Sequence, residues 1–216
     1  FMDLKLTDQE LAKNLRKPEG KNGLIVAGFM YKNNANFYQQ LYENVEWKDN
    51  MRILEVGCGS GMHIKEIKSR AANINYVGVD YSQTMINECM RINPDVEFYH
   101  QDILKLNLPK GSLFDLIVTI NTVYFIDDLR LMMRNLKSYL VEGGELHVGK
   151  RPKEDLDQLN HITQYNFNRY SNGEVAAALM EEGLDVCCLT SFKDNVLNRK
   201  GNITQLHSDF IVAINQ

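Results

Sequence analysis

No run of apolar residues in this 216-residue chain approaches the roughly 20 that a membrane-crossing helix needs. The first residues alternate in charge where a secretory leader would place an apolar stretch. There is no basic excess either. Lys and Arg total 24 against 28 Asp and Glu, for a formal net charge of −4, and the basic runs, Lys13 to Lys17 and Arg199-Lys200, are short. A surface that tracks phosphates concentrates its cations in a patch or stripe, so no nucleic-acid partner is expected. None of the four cysteines (Cys58, Cys89, Cys187, Cys188) has the CxxC spacing of a zinc or dithiol site, and no metal is expected. They read as reduced, partly buried thiols, with 187 and 188 on opposite faces if they lie on a strand. Low-complexity segments and internal repeats are missing too. What is left is the profile of a soluble cytoplasmic globular protein, monomer or homodimer, 44% hydrophobic and 24% charged. Phe1 ahead of Met2 reads as a tag remnant.

Residues 4–17 have amphipathic helical spacing, with Thr7 as N-cap and Glu10 completing a capping box. Pro18-Glu19-Gly20 ends that helix. A second helical stretch runs over 22–46 and is interrupted near the three asparagines between 33 and 36, which favour a turn. The rhythm then changes. Short apolar runs at 51–56, 75–79, 96–99, 113–120 and 144–149 alternate with helical patterns at 61–70, 82–92 and 127–140. That alternation implies crossover connections and a parallel sheet covered on both faces. A helix near 171–182 closed by Gly183, then strands at 184–191 and 205–214, add an antiparallel hairpin at one edge. The expected fold is α/β: a doubly wound, mostly parallel seven-stranded sheet with an antiparallel C-terminal hairpin strand. Residues 1–46 would be a helical lid, 47–216 the main domain, and 151–170 an insertion over the site.

The stretch "ILEVGCGSG" (53–61) runs a strand into glycines at 57, 59 and 61. In open α/β sheets ligands bind where strand ends meet helix N-termini, and glycine admits both unusual dihedrals and a close ligand. A dinucleotide site would want a glycine at position 62, where this chain has Met62. Asp80, ending the next strand in "VGVDYS", suits the two hydroxyls of a ribose. Asp102 in "HQDILKL" can accept from an adenine amine while the Ile103 N–H donates to a ring nitrogen. Glu55 would repel a pyrophosphate but suits a cationic amino or sulfonium group. Together these describe an adenosine pocket without a phosphate cradle.

In combination the motifs resemble those of class I S-adenosylmethionine-dependent methyltransferases: "ILEVGCGSG", "GVDYSQTMI", "HQDI", "FDLIVTINTVYFI" and "VEGGELHV" fall in order over 50–150. The resemblance implies S-adenosylmethionine as cofactor. It further implies that Gly57, Cys58, Gly59 and Gly61 line its methionine part with Glu55 behind, that Tyr81 and Met85 flank the adenine, and that Gln101, Asp102 and Ile103 contact the base. Asn121 would offer an oxygen to the amino group. "NTVYFIDD" has no proline after Asn121, unlike enzymes that methylate nucleic-acid amines. With no separate substrate-reading domain, the expected acceptor is a small, partly apolar molecule bordered by Tyr31, Tyr124, His161 and Tyr165. Tyr31, Tyr124 and His161 are the candidates for a base, with no single catalytic residue singled out. Methylation of protein or RNA, and cofactor binding without catalysis, are the competing expectations. His63 and His147 read as packing residues.

Overall fold

The computed structural model describes residues 5–198 and 201–216. Phe1 and the Arg199-Lys200 pair therefore lie outside the described residues. Helix α1 (Asp8–Arg16) starts at the Thr7–Glu10 capping box. Helix α2 (Gly20–Asn33) and α3 (Ala35–Asn44) are parted at Asn34, within the asparagine run.

Seven strands form one sheet in the order β3-β2-β1-β4-β5-β7-β6. The parallel part comprises β1 (Arg52–Val56), β2 (Asn75–Asp80), β3 (Glu97–His100), β4 (Phe114–Ile120) and β5 (Leu140–Lys150). Strand β7 (Ile203–Asn215) pairs antiparallel with both β5 and the edge strand β6 (Leu184–Leu197). Strand reversal lies between β1 and β4, where open α/β sheets hold ligands. Helices α5 (Gln83–Ile92), α6 (Leu129–Lys137) and α9 (Asn172–Glu181) begin at side-chain caps from Ser82, Asp128 and Ser171. The expected helix at 61–70 is only α4 (Ile64–Lys68), because the turn at Gly61 has φ +69°, which a helix cannot contain. Between β5 and α9 the 151–170 segment folds as α7 (Lys153–Gln158) and α8 (Asn160–Thr163).

Side chains alternate along β1, so Leu54 and Val56 join the apolar layer under α6 and α9 while Ile53 faces the layer under α3, α4 and α5. Glu55 takes the same face as Ile53 by that alternation. Phe37, Tyr38 and Leu41 of α3 are buried in this second layer. The last helix of the N-terminal segment is therefore part of the core, where a removable lid from 1 to 46 was expected. At the far edge a register shift between Val186 and Cys188 leaves both Cys187 and Cys188 exposed, which corrects the reading of opposed faces.

Candidate functional site

At the C-terminal ends of β1, β2 and β4 lies a cavity of about 210 Å³. Its floor is the turn from Val56 to Ser60, and its roof comes from Leu15 and Arg16 of α1, Met30 and Tyr31 of α2 and Tyr38 of α3. Gly57, Gly59 and Gly61 all have positive φ. A Cβ on Gly57 would run into the Thr122 hydroxyl, whereas one on Gly59 would meet nothing within 4 Å. The space above Gly59 is thus open to a ligand.

Asp80 ends β2 in the cavity wall, 9% exposed. Its carboxylate accepts from the N–H groups of Gly59 at 2.9 Å and Ser82 at 2.8 Å. Burial lifts its pKa to about 6 against the pull of those two bonds. Two bonds leave acceptor capacity on the carboxylate for a diol. Met85 is buried in the same wall, and Tyr81 is half exposed beneath Lys17, whose Nζ lies 5.0 Å from the ring centre. Asp102 caps the turn at Ile103–Lys105 by accepting from the Leu104 N–H at 2.9 Å. The Ile103 N–H beside it bonds to no acceptor among the described residues. Gln101 lines the wall as expected, but its amide bonds both ways to the Asn107 backbone, at 2.8 and 2.9 Å, and so shapes the loop.

Glu55 is not in the cavity wall. It is fully buried one layer behind, accepting from Tyr76 at 2.6 Å and Tyr38 at 3.2 Å and bonded to His63 Nε2 at 2.7 Å. With three partners of its own, its carboxylate reaches the cavity only through His63 and Tyr38, which do line it. These two rings stack with centroids 3.9 Å apart. Burial and the neighbouring Glu55 push the Tyr38 phenol well above its ordinary pKa, so it remains a donor. His63, read from sequence as packing, lines the cavity. The available signal was its place two residues after the last glycine, beside a strand acid. Cys58 also lines the cavity, its Sγ 3.8 Å from that of Cys89, and burial beside that second thiol keeps it protonated. His147 is a packing residue, bonded to Glu145 at 2.7 Å.

Asn121 follows β4 with φ +55°. Its N–H donates to Gly149 O at 2.8 Å, its Nδ2 donates to Asn34 Oδ1 at 2.9 Å, and its Oδ1 accepts from Tyr124 at 2.7 Å. Beyond this bridge opens a second chamber of about 670 Å³, which shares Leu15, Met30, Asn34, Asn121 and Phe125 with the first. Tyr124 and His161 line the second chamber and Tyr31 the first. Tyr165 lines neither. Phe167 holds the place expected for it, packed edge-on to Phe125 at 4.8 Å and stacked at 6.0 Å on Tyr124. The Tyr124 hydroxyl also accepts from the Arg151 N–H, and burial raises its pKa, so it is a poor proton acceptor. Among the described residues no group of His, Cys, Asp and Glu could hold a metal. Among the same residues no helix is long and apolar enough to cross a membrane.

Residues 53–144 match a family described as methyltransferase domain. Malonyl-[acyl-carrier protein] O-methyltransferase of Bacillus anthracis is 29% identical over 113 residues, covering 51% of this chain and 41% of that protein. The chain thus spans under half the length of that curated relative. An S-adenosylmethionine-dependent methyltransferase from Mesorhizobium loti superposes with a TM-score of 0.67 at 16% identity, over 82% of this chain and 97% of that one. N-methyltransferase NodS of Bradyrhizobium japonicum, solved with S-adenosyl-L-homocysteine, gives 0.62 at 18% identity, over 84% and 86%.

Proposed function

We propose that this chain, whose residues 53–144 form a class I S-adenosylmethionine-dependent methyltransferase domain, moves the methyl group to a small molecule seated in the second chamber. The observation that carries the reading is the shared wall at Asn34, Asn121 and Phe125, which sets an adenosine-type cavity directly against a larger apolar one.

The donor set fits the cofactor. Asp80 would take the ribose hydroxyls and Asp102 with the Ile103 N–H the adenine edge, between Tyr81 and Met85. Gly57, Cys58, Gly59 and Gly61 would lie along the methionine part. His63, tied to Glu55, and Asn121 would meet its polar end. When bound, the cofactor supplies a methyl group on a sulfonium, already activated for displacement. The chain's own contribution is then alignment and exclusion of water. Helices α1 and α2 would act as the cover over the cofactor. Helices α7 and α8 with Phe167 would cover the acceptor. The net charge of −4 and the largely apolar wall of the second chamber favour a small acceptor over RNA or protein.

Calorimetric titration with S-adenosylhomocysteine and NAD tests the cofactor, and S-adenosylhomocysteine formation against a metabolite pool tests the transfer. Binding of the first ligand alone, with turnover, is the expected result. Binding without turnover across a broad pool would leave a cofactor-binding regulator in its place.

A further inference from the structure

We propose that the second chamber accepts a neutral, largely apolar amine and that nitrogen is the atom methylated, an inference that rests on the methyl-transfer reading above. Its volume of about 670 Å³ is in the range of roughly 300–1,000 Å³ that holds a drug-sized molecule. Much of its wall is Phe29, Met30, Phe125, Leu159, Ile162 and Phe167, which suits an aliphatic or aromatic body.

Charge decides against an acid. Among the described residues, the charged or titratable wall groups besides Tyr124 are Asp8, Arg151 and His161. Arg151 is already matched: Nη1 donates to Asp194 at 2.6 Å, to His207 O at 3.0 Å and to Ser208 Oγ at 3.0 Å. Its Nη2 donates to Asn33 O at 2.9 Å, and the guanidinium lies 4.7 Å from the centre of the Phe37 ring. Seating a carboxylate on it would break a buried pair and strand Asp194. Asp8, half-buried at the start of α1, has an interaction of its own, and His161 is exposed on α8.

Acid–base chemistry at the neck decides against an alcohol or phenol. The polar residues shared by the two chambers there are Asn34 and Asn121, whose amides do not take protons, and on the second chamber's side the Tyr124 hydroxyl already donates to Asn121 and accepts from Arg151. An oxygen acceptor that must lose its proton finds no base at that point. An amine brings its own lone pair, and an apolar chamber disfavours its ammonium form. The nitrogen pair forms the N–C bond, the S–C bond breaks with its pair left on sulfur as a neutral thioether, and the N-methylammonium product releases its proton to solvent.

The test uses matched probes on the full chain: 3-phenylpropylamine, 3-phenylpropionate and 4-propylphenol, with dodecylamine and dodecanoate as longer partners. S-adenosylhomocysteine formation is followed at pH 7.5, and binding of each probe to the S-adenosylhomocysteine complex is measured by calorimetry in buffers of different ionisation enthalpy. The expected result is kcat/KM at least tenfold higher for amines than for acids or the phenol, and release of close to one proton per amine bound. Faster turnover of an acid or the phenol overturns the inference and leaves methyl transfer standing, as does amine binding with no proton release. No turnover in any arm, with S-adenosylhomocysteine still bound, defeats the methyl-transfer reading and this inference together.

Discussion

Asn121 and Asn34 are joined by a 2.9 Å hydrogen bond across 87 positions of chain, tying the end of β4 to the joint between α2 and α3. The bond lies in the wall common to the two chambers, so the end of β4 and the roof helices meet at the same amide pair.

Asn121 holds its φ of +55° as a non-glycine residue, at which alanine is strained by roughly 1–2 kcal/mol while glycine is not. Asn121→Ala therefore loses both the strain contest and two side-chain bonds, and Asn121→Gly only the bonds. The alanine variant is expected to melt about 2–4 °C below the glycine one, from a difference of about 1 kcal/mol. Both are expected to lower kcat more than they raise the S-adenosylhomocysteine dissociation constant. Calorimetry and steady-state rates check the pair.

Asp80 gives a pH signature. Its folded pKa of about 6 exceeds the ordinary 3.8, so the folded protein binds that proton more tightly than the unfolded one. The ionised carboxylate then costs the ligand-free protein on the order of 3 kcal/mol at neutral pH, a cost that fades as pH falls from 6 to 4. Asp80→Asn is expected to match or exceed the parent in urea stability at pH 7.5, the difference closing by pH 4. The same change should weaken S-adenosylhomocysteine binding by about 1–3 kcal/mol, and it should abolish the fall in affinity below pH 6 that is expected of the parent.

The glycine turn separates steric from ligand effects. Gly57→Ala would collide with Thr122, and Gly59→Ala enters open space at φ +56°. Gly59→Ala is expected to fold with about 1–2 kcal/mol of strain and lose cofactor affinity at least tenfold. Gly57→Ala is expected to be the less stable of the two. Denaturant midpoints beside S-adenosylhomocysteine titrations distinguish them, and equal affinity in Gly59→Ala and the parent would place the ligand elsewhere.

Behind that turn, Tyr76→Phe removes a 2.6 Å bond to a fully buried carboxylate, worth about 1.5–3 kcal/mol. His63→Gln keeps a donor for Glu55, and His63→Ala does not. The alanine variant is expected to lose more cofactor affinity than the glutamine variant, as measured by calorimetry on folded samples.

Deleting residues 1–17 removes α1 and its share of the cofactor roof while leaving α3 in the core. The truncated protein is expected to keep its far-ultraviolet circular dichroism and release S-adenosylhomocysteine at least tenfold faster. Deleting through residue 45 would also remove Phe37, Tyr38 and Leu41 and is expected to yield no cooperative melt.

The order of strands and helices was legible because each β-run is short and apolar and each following helix amphipathic, and Thr7, Asn34 and Gly183 mark boundaries by local chemistry alone. The place of Asp80, Met85, Asp102 and Ile103 in the cavity wall was legible because Asp80 ends β2 and the other three lie in the helix and turn that follow β2 and β3. Glu55 lies behind the glycines as expected, but its partners Tyr38, His63 and Tyr76 were not legible, since they come from three elements whose meeting is a property of the sheet order. The Arg151 cluster had no local signal: it joins Asn33, Asp194, His207 and Ser208, between 43 and 118 positions away. Tyr165 was displaced by two positions because α8 ends at Thr163 and the chain then turns through Asn166 at φ +64°.

Helices α7 and α8, with Leu159 between them, contribute six side chains to the second chamber and none to the first. A replacement of 152–170 with a loop of another shape would therefore change which molecule is chosen while leaving the donor's grip as it was. On the proposed reading selectivity is a graftable part, and transplanting that single stretch between proteins of the same build is expected to bring new acceptors.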